Sequence, residues 1–174
     1  MERQMKVLVA YASRYGSTKE IAERIAAEIA LGGHDAEALS LTSPVDLGRY
    51  DAFVVGSAVF YGKWMNEAVE FVRRNAFVLS SRPTWLFSSG PIGAMEKFGG
   101  DQRVRAVPVE IPEMTKLVDA RGHRVFYGRL DKRALGRFDS FIARVVGAEG
   151  DFRDWSDITG WAAEIAHALE LVPA

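Results

Sequence analysis

The chain has 174 residues, a net charge of −1 from 22 basic and 23 acidic residues, and no cysteine. A domain takes roughly 150 residues, so residues 1–174 are read as one domain that can bury a sizeable core. The missing thiols exclude a cysteine nucleophile, a thiolate metal site, an iron–sulfur cluster and a disulfide scaffold, and the near-neutral charge gives no footprint for nucleic acid.

The three histidines, His34, His123 and His167, stand far apart in sequence, so no metal site is expected. No apolar run approaches the ~18 residues that span a bilayer, and no signal-peptide pattern follows Met1. The expected location is cytoplasmic.

In chain order, residues 6–11 (KVLVAY) form a short apolar run, the pattern of a strand buried on both faces. Residues 17–31 read as a helix: Ile21, Ile25 and Ile29 recur every four residues, and Ser17 with Glu20 has capping-box spacing. Gly32 and Gly33 stop it. Residues 36–41 are a weaker strand, and 41–49 a connection. Residues 52–56 (AFVVG) form the next buried strand, followed by a loop over 57–63 and a helix over 64–75. Pro83 opens a fourth strand at 84–88, and a glycine-rich loop covers 89–100. A short helix is expected near 101–107 and a fifth strand at 123–128. Two helices follow, an amphipathic one over 132–146 and a last one over 158–169 capped by Ser156 or Asp154.

Strands alternating with helices imply βαβ units. The expected fold is α/β, a doubly wound five-stranded parallel sheet of order 2-1-3-4-5 with helices on both faces. Ligands of such sheets bind at the carboxyl ends of strands 1 and 3.

Three loops converge there. The first holds Ser13, Arg14, Tyr15, Gly16, Ser17 and Thr18 and ends on a helix N-terminus. Free amides, hydroxyls and one arginine at that place suit a terminal phosphate. The glycine spacing is neither that of a Walker loop nor that of a dinucleotide fingerprint. The second loop holds Ser57, Ala58, Val59, Phe60, Tyr61 and Gly62, and the third Ser88, Ser89 and Gly90. Aromatic side chains and backbone amides in these loops suit a planar heteroaromatic ring.

These stretches carry a resemblance. Residues 9–22 (VAYASRYGSTKEIA), 56–64 (GSAVFYGKW), 128–130 (GRL), Phe138 with Asp139, and 152–155 (FRDW) resemble the flavodoxin-like family. Within it, the similarity is greatest to the flavodoxin-fold, menaquinone-dependent protoporphyrinogen dehydrogenases. The resemblance covers nearly the whole chain. It implies FMN as cofactor, with its phosphate on residues 13–18. Residues 57–62 would meet the ribityl chain and one isoalloxazine face, and residues 88–93 the other. Gly62 would permit a peptide flip toward flavin N5, and Met95 and Phe98 are candidates for the second stacking position. A deazaflavin satisfies the same phosphate loop.

Residues 121–148 hold seven arginines and lysines against two aspartates, a local +5. With Leu135, Phe138, Phe141, Ile142, Val145 and Val146 at helical spacing, residues 132–146 offer a peripheral membrane contact, a clamp for porphyrin propionates, or a helix that simply covers the core.

Three functions follow from this reading. The first is an FMN-dependent oxidoreductase of protoporphyrinogen dehydrogenase or quinone-reductase type, exchanging electrons with a small molecule or redox protein. The second is a flavodoxin-type electron carrier. The third, a phosphoacceptor receiver, lacks its acidic pair after strand 1 and its aspartate after strand 3. No catalytic side chain is identified, because flavin chemistry asks mainly for binding and orientation. The sequence does not assign an oligomeric state.

Overall fold

The computed structural model of the chain describes residues 3–90, 107–130 and 150–173. The second stacking candidates Met95 and Phe98, nearly all of the expected helix at 101–107, and the amphipathic segment at 132–146 lie outside the described residues.

The elements run β1 (Lys6–Ala12), α1 (Ser17–Leu31), β2 (Asp35–Ser40), a 3-10 turn (Leu47–Arg49), β3 (Ala52–Phe60) and β4 (Lys63–Trp64). Then come α2 (Asn66–Arg74), α3 (Ala76–Ser80), β5 (Thr84–Ser89), α4 (Ile111–Leu117) and β6 (His123–Phe126). The chain closes with β7 (Arg129–Leu130), β8 (Gly150–Asp151) and α5 (Trp155–Glu170).

The main sheet has the order β2-β1-β3-β5-β6, with every pair along that path parallel. Setting aside the short β4, this is the expected 2-1-3-4-5. Strands β1, β3 and β5 are buried along almost their whole length, as their continuous apolar runs require.

Each face of the sheet is covered by its own helices. On one face α1 and α5 bury Ile21, Ile25, Ile29, Ile158, Trp161, Ile165 and Leu169 against Val7, Val9, Val54 and Phe87. On the other, α2, α3 and α4 bury Ala68, Val72, Leu79, Ile111 and Met114 against Leu8, Phe53, Val55 and Leu86. The alternation of neighbouring residues such as Leu8 and Val9 between the two cores is the period-2 geometry of a strand.

Four differences from the expected elements have physical causes. β3 runs on to Phe60 and folds back as a hairpin with β4, Val59 opposite Trp64, where a loop was expected. Trp64 is therefore a strand residue and α2 starts only at Asn66, since the Trp64 indole is committed to β5. Its Nε1–H donates to Ser88 Oγ at 2.8 Å, and Ser88 Oγ shares a further 2.8 Å hydrogen bond with His123 Nε2. α3 and α4 are short helices that the pattern did not signal, although Pro112 in the first turn of α4 is a helix-start residue. β7 and β8 pair antiparallel, Arg129 opposite Asp151 and Leu130 opposite Gly150, joining segments twenty residues apart through only two residues each. At α5 the expected cap holds: Asp154 Oδ1 accepts the amides of Ser156 and Asp157 at 3.0 and 3.1 Å.

One close approach lies between the central strands β3 and β5. Gly56 pairs with Phe87, and a β-carbon at Gly56 would stand 2.1 Å from two atoms of the Phe87 ring. The ring occupies the space that any other residue needs, and it packs against Phe126 and Trp161 at centroid distances of 6.1 and 6.3 Å. Gly56→Ala is expected to lower the unfolding free energy by about 1–3 kcal/mol, read from urea denaturation, because the core must shift to admit one methyl group.

His123 carries the pH dependence of the Trp64–Ser88–His123 chain. Burial pushes its pKa down from 6.5 to about 4. The unfolded chain binds that proton near pH 6.5 and the folded chain only near pH 4. Stability present above pH 6.5 is therefore lost as pH falls through that window. A loss of about 2–3 kcal/mol between pH 7 and pH 4 is expected from this group. His123→Gln keeps a polar partner for Ser88 without the titration. The difference between wild-type and variant melting temperatures should narrow or reverse from pH 7 to pH 4, and a constant difference would overturn the assignment.

Candidate functional site

β1 and β5 end at the carboxyl edge of the sheet, where Ala12 lies opposite Ser57 and Ser57 opposite Ser88, and β3 runs on past that row to Phe60. The first and third sequence-predicted loops leave the sheet near this row, and the second is the continuation of β3 into its hairpin with β4.

The first loop closes on itself. Ser13 Oγ accepts the Gly16 N–H at 3.1 Å, and Gly16 takes φ of +88°, a left-handed conformation that glycine adopts without strain. The space a side chain would occupy at Gly16 is open, with nothing within 4 Å. Gly16 is also the N-cap of α1, and no side chain caps the helix. The first-turn amides of α1 therefore have no intrahelical acceptor and face out with the positive end of the helix dipole.

Ser17 and Glu20 do not form the expected capping box. Ser17 is the first helical residue, and its Oγ accepts the Arg129 N–H at 2.9 Å. Ser17 is itself buried, and its hydroxyl keeps its own proton to donate. Glu20 turns to Arg129 and Arg153. Two full positive charges attract the carboxylate more strongly than one backbone amide dipole, and they hold it away from the local cap. Thr18 is buried behind the first turn.

The second loop is the β3–β4 hairpin. Tyr61 has φ of 51° and Gly62 has φ of 74°, the two positive angles of a type I′ turn. Tyrosine is an uncommon residue in that conformation, and here its ring is 82% exposed. Val109, also exposed, donates its N–H to the Gly62 carbonyl at 3.3 Å and extends the apolar rim. Arg14 ties this hairpin to the first loop. Its guanidinium lies 5.6 Å from the centroids of both Tyr15 and Phe60, whose rings meet edge-on at 6.0 Å.

The serines of the second and third loops are engaged within the protein. Ser57 Oγ accepts the Met65 N–H at 3.0 Å and donates to the Ala58 carbonyl at 2.8 Å. Ser88 sits between Trp64 and His123, and both serines are fully buried. Ala58 is buried and Val59 half-buried at the end of β3. Ser89 is buried, and Gly90, at φ of +111°, donates its N–H to the Phe126 carbonyl at 2.8 Å.

A fourth wall was not singled out as part of the site. A β-carbon at Gly128 would lie 3.7 Å from Gly90 N and Ser89 Oγ and 3.8 Å from Ser17 Oγ, so the β6–β7 connection touches the first and third loops together. Arg129 and Arg153 come with it. The stretches 128–130 and 152–155 carried part of the sequence resemblance, but nothing local in them shows that they meet at α1.

The arrangement suits an anionic group before Gly16, where the first-turn amides meet the open space at that glycine and the Ser17 hydroxyl lies beside them, buried. It suits a planar ring at the aromatic rim of the hairpin. Among the described residues, no helix is long and apolar enough to cross a membrane.

Comparison with known proteins agrees with this geometry. Residues 8–154 match the flavodoxin domain. Protoporphyrinogen IX dehydrogenase (quinone) of Escherichia coli strain K12 is 26% identical over 180 residues, covering 95% of this chain and 97% of that protein. A flavodoxin from the domain Archaea superposes with a TM-score of 0.61 at 20% identity, covering 95% of this chain and 99% of its own. Rubredoxin oxygen:oxidoreductase from Desulfovibrio gigas gives a TM-score of 0.63 at 12% identity, covering 99% of this chain and 38% of that one. The strand order, the open turn before α1 and the family match over most of the length agree, and the chain belongs to the flavodoxin-domain family.

Proposed function

We propose that this chain is an FMN-dependent oxidoreductase of the protoporphyrinogen dehydrogenase type, with a quinone as electron acceptor. The observation that carries the reading is the juxtaposition at one sheet edge of an uncapped, open helix N-terminus and an aromatic hairpin. The end-to-end similarity to a protoporphyrinogen IX dehydrogenase supports the substrate class.

In this reading residues 13–18 hold the phosphate. The amides of the first turn of α1 and the Ser17 hydroxyl donate to it, and the open face of Gly16 lets an oxygen approach the backbone. The β3–β4 hairpin, with Phe60 and Tyr61, lies along the ring, and Ser89 and Gly90 bound the site from β5. Bound FMN supplies one- and two-electron transfer that no side chain of the chain provides. The protein's part is to orient the ring, exclude water with the apolar rim, and leave an edge open to a flat partner. Arg14, exposed above Tyr15 and Phe60, sets a cation beside that edge where an anionic substituent of the substrate would pass.

The near-neutral net charge favours an enzyme over a carrier, since an electron carrier that docks to basic partners gains from a strongly acidic surface.

The absorption spectrum of the purified protein, with identification of the released chromophore, tests the cofactor. Oxidised-flavin bands and released FMN are expected, and a single deazaflavin-like band would change the cofactor and the chemistry. Anaerobic mixing of the reduced porphyrinogen with a naphthoquinone should then give quinone reduction and porphyrin fluorescence. A flavin-loaded protein inert to porphyrinogen but reducible by a redox protein would favour the carrier. Ser17→Asp sets a carboxylate against the phosphate while still offering an acceptor to the Arg129 amide. It is expected to weaken FMN binding by about tenfold or more with riboflavin binding little changed. Unchanged FMN affinity would remove the phosphate from this loop.

A further inference from the structure

Glu20 poses an electrostatic problem for the site just proposed. It lies in the first turn of α1, three residues after Ser17, about 4.5 Å further along the helix axis. A carboxylate there is favoured by the helix dipole and for the same reason offsets the positive potential that an anion at the N-terminus would use. The fold answers with two guanidiniums. Arg129 reaches Glu20 Oε1 at 3.3 Å, and Arg153 NH1 bonds Glu20 Oε2.

The Arg153 side chain is only 4% exposed, so its charge is poorly screened. Its orientation is over-determined. Asp151 binds it bidentately, Nε to Oδ1 at 2.8 Å and NH2 to Oδ2 at 2.6 Å, and the guanidinium lies 4.5 Å from the Trp155 ring centroid. This pairing holds the Asp151 carboxyl below the usual carboxylate range. Arg129 is placed by β7–β8 pairing, and its own amide bonds Ser17 Oγ at the helix mouth. The backbone bond that orients Ser17 and the side-chain bonds that neutralise Glu20 thus come from the same two-stranded neck.

We propose that Arg153 and Arg129 are positioning residues for the anion site on α1: they neutralise Glu20 and draw its carboxylate to the neck, so that the first turn keeps its positive potential for the phosphate. This rests on the FMN reading above and adds that phosphate affinity is set by a charge pair outside the phosphate loop.

The test is titration of the flavin-free protein with FMN and with riboflavin, which lacks the phosphate. Arg153→Met is expected to weaken FMN binding by roughly three- to tenfold and leave riboflavin affinity within twofold. Arg153→Met leaves Glu20 and Asp151 against Arg129 alone, and Glu20→Gln in the same chain restores the balance of charges and should return FMN affinity to within about twofold of wild type. Arg129→Met, whose side chain is a third exposed and whose amide remains, gives the same selective loss at smaller size and stands in if Arg153→Met does not fold. Equal losses for both flavins with no rescue by Glu20→Gln would make the network purely structural and overturn the inference. Wild-type FMN affinity in both arginine variants would overturn it as well, with the cofactor reading intact. A wild-type protein that binds no FMN overturns the cofactor reading and, with it, this inference.

Discussion

β1 pairs with β3 in parallel, from Val7 opposite Ala52 to Ala12 opposite Ser57, and both strands are closed off from water on each face. A strand buried on both faces satisfies its backbone only through its neighbours, so it cannot slide without exposing amides and moving every side chain to the wrong core. That pairing decides where the chain leaves the sheet. Because β1 ends opposite Ser57 and β3 continues from there into its hairpin, the turn before α1 and the β3–β4 hairpin are neighbours, though more than forty residues separate them. Phe87 against Gly56 carries the register on to β5.

The candidate site is made from the ends of these rigid strands, and its polar groups divide into two sets. Ser57 and Ser88 look inward and fasten α2, β4 and β6 to the sheet. Gly16 and the first-turn amides face the mouth of α1, Gly16 onto open space, while Ser17, itself buried, takes the Arg129 amide. Residue type alone does not distinguish a serine that binds a ligand from one that locks a hairpin. Burial and the identity of the hydrogen-bond partner do.

The neck formed by β7 and β8 adds a longer-range layer. Arg153, nearly buried between Asp151, Glu20 and Trp155, joins the start of α5 to the first turn of α1. Its guanidinium is the desolvated partner, the Glu20 and Asp151 carboxylates being 41% and 43% exposed, so removing a carboxylate would strand a buried positive charge. It links the two chain segments on either side of residues 131–149 to the same helix end that faces the candidate ligand space.

The buried strands, α1 and α5 were legible because they rest on short-range signals: the apolar runs at 6–11, 52–56 and 84–88, the four-residue spacing of Ile21, Ile25 and Ile29, and Asp154 at the last helix, whereas the strand order was expected from the βαβ alternation and α3 and α4 gave no such signal. The serine- and glycine-rich turn before α1 was legible for the same reason, since residue types able to take φ > 0 or present hydroxyls sit next to the helix they precede. The hairpin was not, because the positive φ of Tyr61 comes from β4 pairing back on β3 rather than from any preference of tyrosine. The capping-box spacing of Ser17 and Glu20 was misleading: guanidiniums 109 and 133 residues away compete more strongly for that carboxylate than a backbone amide. The sequence by itself thus determined the layers, the periodic core faces and the place where an anion-ready helix begins, all of which depend on neighbours within a few residues. Only the tertiary structure decided which hydroxyls are free, where Glu20 points and which loops share an edge, because each depends on contacts between segments whose separation along the chain carries no local signal.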